Sequence, residues 1–237
     1  MGLWSRIKGA CSAVCRGACK VLGAVGRSAV SLVRNVSIGL GKVVGSVWGG
    51  IGKFLGILKP QEEPEEIGEM AVQGAEQGVN REQFKTNQEY IQALRDKVKF
   101  DRDRFNKLSE QELHERRMLG TKITAQGIEE HMGIPEIPNN FIVASGMLGW
   151  SPSLTLKMLE TSKKNDVPIS DITDYMKNRC KADKIEKTGD AIKEAVKAEN
   201  PGLTVDQVNQ NILDAQKKIK DENLDIPNEE EIEEATV

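Results

Sequence analysis

MGLWSRIKGACSAVCRGACKVLGAVGRSAVSLVRNVSIGLGKVVGSVWGGIGKFLGILK, residues 1–59, decides how this chain is read. It holds nine cations (Arg6, Lys8, Arg16, Lys20, Arg27, Arg34, Lys42, Lys53 and Lys59) and no carboxylate; the first acid of the protein is Glu62. Apolar residues recur every three or four positions: Leu3, Ile7, Cys11, Val14, Ala18, Val21, Val25, Ala29, Leu32, Val36, Leu40, Val43, Val47, Ile51, Phe54 and Leu58. The mean step is about 3.67 residues, an eleven-residue period close to that of an α-helix. On a helical wheel these residues form one stripe, widened by Trp4, Cys15, Leu22, Val33, Val44, Trp48 and Leu55. Most of the cations fall on the opposite side, with Arg6 and Lys8 near the borders, where a long stem can snorkel.

A continuous helix over this segment would be ~85–90 Å long, more than one small core covers. Three partners could take the stripe: a lipid surface, further copies of the chain, or the rest of the chain. Cations without anions favour an anionic lipid surface, where each contributes about 1 kcal/mol. The helix is then expected to lie in the interface plane with its apolar face down. A transmembrane span is disfavoured, because it needs ~20 mainly apolar residues. The best run, residues 43–58, is shorter and contains Lys53. Twelve of the 59 residues are Gly, each costing up to about 1 kcal/mol in a helix interior. The segment should therefore need a surface on which to fold. Gly9, Gly41, Gly45, Gly52 and Gly56 sit on the basic side, where small residues allow close helix approach. Gly49-Gly50 is the expected break.

The sequence Gly2-Leu3-Trp4-Ser5-Arg6-Ile7-Lys8, followed by an Ala/Gly/Val/Lys-rich helical pattern, resembles the start of dermaseptin-type membrane-lytic peptides. The resemblance covers about the first 30 residues. It implies membrane binding and permeabilisation, by convergence on one amphipathic chemistry rather than by ancestry. Cysteines stand where such peptides usually carry alanine or lysine.

The net charge of −3 conceals a split: +9 over residues 1–59 and so −12 over the remainder. Such asymmetry points to a membrane or nucleic-acid contact at the basic end. Nucleic acid is disfavoured, because a phosphate binder needs no continuous apolar face. Cys11, Cys15 and Cys19 follow at i, i+4 and i+8. They read first as small hydrophobes, then as candidate acylation sites; no histidine lies near to complete a metal site. An acid-free amphipathic start also describes a mitochondrial presequence, but the rhythm here continues to Leu58. Gly2 lacks the Ser or Thr at position 6 that myristoylation prefers.

Pro60 ends the basic segment, and residues 60–79 read as an acidic linker. Residues 80–108 read as one long helix with a roughly seven-residue alternation, a bundle member or short coiled coil. Ser109-Glu110-Gln111-Glu112 is a capping box opening a helix expected to stop at Gly120. A short helix is expected near residues 125–132, then a loop through Pro135 and Pro138. Ser151-Pro152, Ser170, Thr188 and Thr204-Val205-Asp206-Gln207 mark four further helix starts. Residues 221–237, with eight acids, read as a disordered acidic tail.

The fold expected is all-α: a long N-terminal amphipathic helix (1–59), a small helical body (80–220) and the tail. His114 and His131 read as surface residues, no catalytic or metal motif is present, and neither a cofactor nor a small-molecule substrate is implied. The expected function is membrane binding, with perturbation or pore formation, as in a virion-borne ejection or membrane-remodelling factor. The expected location is peripheral to a membrane. The body is expected to self-associate or bind a protein partner. The alternatives are a membrane-anchored adaptor and a subunit of a large assembly. The residues expected to enter lipid are Leu3, Trp4, Ile7, Val14, Val21, Leu22, Val25, Leu32, Val36, Leu40, Val47, Trp48, Ile51, Phe54 and Leu58.

Overall fold

A computed structural model describes residues 23–221, whose regular structure is all helix joined by turns and loops, with no strand. They divide into two compact units, 23–136 and 137–221.

The first unit is built around a helix that hydrophobic periodicity does not reveal. Helices α1 (Gly23–Asn35), α2 (Ile38–Phe54) and α3 (Pro64–Glu76) are followed by a 3-10 turn, Arg81–Gln83. Then come α4 (Asn87–Lys97), α5 (Arg102–Asn106) and α6 (Glu110–Met132). α6 is the axis, and α1, α2, α3 and α4 all pack on it. It opens with the expected capping box: Ser109 Oγ accepts from the Glu112 N–H at 3.3 Å, and the Ser109 N–H donates to Glu112 Oε2 at 2.9 Å. It runs through Gly120 and stops only at Gly133, in the left-handed region at φ 59°.

Every residue from His114 to Ala125 is buried, four of the first five being ionisable. Burial of charge is tolerated only with a partner. Arg116 Nε donates to Glu69 Oε2 at 2.6 Å, Arg117 Nη2 to Glu65 Oε1 at 3.1 Å, and Lys122 Nζ to Glu136 Oε1 at 2.9 Å. Where α3 crosses α6 the backbones touch. A Cβ on Gly68 would lie 1.9 Å from the Arg116 carbonyl oxygen, and one on Gly120 would lie 1.7 Å from that of Pro64.

The second unit comprises α7 (Asn139–Met147), α8 (Pro152–Lys164), α9 (Ile169–Met176), α10 (Ile185–Glu199) and α11 (Val205–Asp221). α8 and α10 form its main packing pair, and Phe141, Leu159, Ile172 and Ile192 are fully buried. The Ser151 cap accepts from the Leu154 N–H at 2.9 Å, and the Thr204 N–H donates to Gln207 Oε1 at 2.8 Å. Both are the expected starts.

Several expectations need correction. Within the described residues the N-terminal helix is interrupted after Asn35, where Ser37 caps a new helix, and not at Gly49-Gly50, which stays helical. The 60–79 stretch is no linker: Pro64 occupies the first turn of a thirteen-residue helix whose carboxylates hold the arginines of α6. The 80–108 helix is three pieces. A second capping box at Thr86-Glu89 and the Asp101 cap restart the chain where the alternation suggested continuity. The 110–120 and 125–132 helices are one. Tail residues 222–237 lie outside the described residues.

Candidate functional site

The candidate site is the docking of the acid-free segment onto α6. Of the expected lipid-facing residues, Leu3, Trp4, Ile7, Val14, Val21 and Leu22 lie outside the described residues, as do Arg6, Lys8, Arg16, Lys20 and the three N-terminal cysteines. Val25 falls in α1. The others can be placed. Leu32, Val36, Val47, Trp48, Ile51 and Leu58 are buried, joined by Ala29, Val33 and Val44. Leu40 is half-buried. Phe54, 78% exposed, and Val43, 44% exposed, stay at the surface. Among the described residues, most of the row expected to be open to lipid is therefore covered by the chain's own helices.

Glycine makes this docking close. α2 presents Gly41, Gly45 and Gly52 to α6: a Cβ at these positions would sit 2.5 Å from the His114 ring, 2.7 Å from Arg117 Cδ and 2.6 Å from Thr124 Cγ2. These are the small residues expected on the basic side to admit a neighbouring helix. Gly56 differs: it is a left-handed turn residue at φ 72° with open space around it.

The cations point away from this contact. Arg27, Arg34, Lys42 and Lys59 are exposed. Lys42 reaches Glu110 at 3.4 Å, and half-buried Lys53 reaches Glu63 at 2.5 Å. The turn after α2 is pinned by Glu62, which accepts from the Lys59 N–H at 2.8 Å and from Arg95 Nη2 at 2.6 Å. Burial pushes the Glu62 carboxyl up; the Arg95 and Lys59 hydrogen bonds and their positive charges outweigh it and leave the group below 4.5.

His114 was expected at the surface and is instead 1% exposed, wedged between α1, α2 and α6. Its polar neighbours in sequence concealed it, because α6 buries polar residues on nearly every face. His131 is exposed, as expected. Beside it, Glu130 receives the Asn87 N–H at 2.6 Å and Arg81 at 3.2 Å, a structural clamp between α4 and α6. Among the described residues no cluster of His, Cys, Asp and Glu is arranged to hold a metal, and no helix is long and apolar enough to cross a membrane. No family model, curated protein or solved structure matches this chain.

Proposed function

We propose that the chain is a peripheral membrane-binding protein whose acid-free segment, residues 1–59, meets an anionic lipid surface. The observation that carries this is the charge layout: nine cations before the first carboxylate, with Arg27, Arg34, Lys42 and Lys59 on the outside of the folded unit. Residues 1–22, with Arg6, Lys8, Arg16 and Lys20, provide the first contact. Residues 23–58 are a stored apolar row. A fully buried Val, Leu or Ile is stabilised by roughly 1.5–3 kcal/mol wherever it is removed from water. Exchanging the α6 surface for lipid is therefore close to neutral for the row itself, and the cations tip the balance. A second copy or a protein partner meets the helical body, where Val205 and Leu213 are exposed on α11.

The covered row favours a second reading, an anchored adaptor that binds without perturbing the bilayer. Sedimentation with vesicles, anionic or purely zwitterionic, and release of an entrapped dye separate the possibilities. Binding to anionic vesicles alone, weakened at least tenfold by R27E/R34E or by removal of residues 1–22, supports membrane binding. Binding without dye release selects the adaptor. Equal affinity for both vesicle types, unaffected by either change, refutes the proposal.

A further inference from the structure

The acid-free segment brings no carboxylate to the one histidine it covers. The His114 ring sits in a notch left by Gly41, where a Cβ would lie 2.5 Å from both Cε1 and Nδ1. Neither ring nitrogen makes a well-formed hydrogen bond, although the Val33 and Val36 carbonyls face the ring and favour its charged form. From α1 and the turn just after it come the backbones of Val33 and Val36 and, on the outer side, the exposed Arg34. From α2 come Gly41 and its neighbour Lys42, whose ammonium turns to Glu110. On α6 itself, Arg117 and Glu115 act on the ring in opposite directions. Arg117 is held by Glu65 of α3, and Glu115 lies 3.6 Å from Arg116. A charge on this imidazole would thus meet no free counter-ion, and water could reach it only if α1 and α2 moved away.

We propose that protonation of His114 undocks α1 and α2 from α6, so that mild acid frees the stored apolar row. The meeting of that row with lipid rests on the membrane reading above; the undocking itself does not. Burial pushes the imidazole below its ordinary 6.5; the Val36 and Val33 backbones and Glu115 oppose this, and Arg117 reinforces it. A depressed histidine favours the closed form at high pH. The undocked form gains protons first, so closure weakens as pH falls below about 6.5, by up to about tenfold per pH unit until the buried ring itself titrates. Glu62, Glu76 and Glu112 are held below 4.5, so their losses come at lower pH.

The test is hydrogen–deuterium exchange of the full chain, followed over residues 38–54 from pH 7.5 to 5.0 and corrected for intrinsic exchange. In the wild type, protection should fall by up to about thirtyfold. H131Q should behave in the same way, while H114Q and H114M should stay flat. Constant protection in the wild type, or the same loss in either folded H114 variant, overturns the switch. If neither variant folds, the wild-type His114 ring signal decides: titration at 6.5 or above in the closed protein overturns the switch, and a ring still neutral at pH 6 supports it. Acid-dependent dye release from anionic vesicles, lost in H114Q, supports switch and membrane reading together. Undocking without vesicle binding keeps the switch and overturns the membrane reading.

Discussion

One substitution, Gly to Ala, should have opposite effects at two positions of the first unit. At Gly120 the added methyl would sit 1.7 Å from the Pro64 carbonyl oxygen and 3.0 Å from the Gly68 nitrogen. Ordinary contact begins near 3.4 Å, so α3 and α6 must part by about 1.5–2 Å, because both sides of the clash are backbone. Overpacking costs about 1–3 kcal/mol where side chains can yield, and here none can. The parting also stretches the 2.6 Å bond from Arg116 to Glu69, inside the protein. Against this, Ala gains up to about 1 kcal/mol of helix propensity. The net expectation for G120A is a loss of about 3 kcal/mol. At Gly39 nothing lies within 4 Å of the new methyl, so G39A should gain about 0.5 kcal/mol through propensity and a stiffer unfolded chain. Urea unfolding followed through buried Trp48, in a W4F/W150F background, reads the first unit. A G120A midpoint equal to that of the wild type, or shifts of the same sign in both variants, would refute the backbone-contact reasoning.

Glu69→Gln should be costlier than a surface change, since it leaves buried Arg116 with only the longer 3.6 Å pairing to Glu115; roughly 3–5 kcal/mol is expected, and a loss below 1 kcal/mol in the same assay contradicts the pairing. Glu62→Gln should cost about 1–3 kcal/mol at pH 7. It should also flatten the acid limb: the lowered Glu62 supplies stability that is present above 4.5 and lost as pH falls through its folded value, so an unchanged limb in the variant rules this out. In the second unit, Ser151→Ala removes the acceptor for the Leu154 N–H and should cost about 1 kcal/mol, read by thermal unfolding through Trp150.

What was legible in the chain was local chemistry. Ser109-Glu112, Ser151-Pro152 and Thr204-Gln207 announce helix starts because each cap is satisfied within four residues. The apolar rhythm of residues 29–58 likewise picked out most of the buried row, though Val43 and Phe54, which keep the rhythm, stay at the surface. What escaped was α6 as a core helix and α3 as its partner. Both are buried through long-range pairs, Glu69 with Arg116 and Glu65 with Arg117, and through glycines that abut backbone. None of these leaves a hydrophobic period. The alternation over 80–108 misled for the opposite reason: Phe84, Ile91, Leu94, Val98 and Phe105 keep a roughly helical spacing across segments that the Thr86 and Asp101 caps separate. His114 was hidden with α6, and so was the destination of the row.

The crossing of Gly68 and Gly120 has a consequence for assembly order. Sliding α6 by one position would bring Leu119 or Thr121 to a place where not even a methyl fits. The two helices thus mesh in a single alignment, with no near-miss in which to linger. The N-terminal pair therefore packs on a platform whose alignment is already fixed.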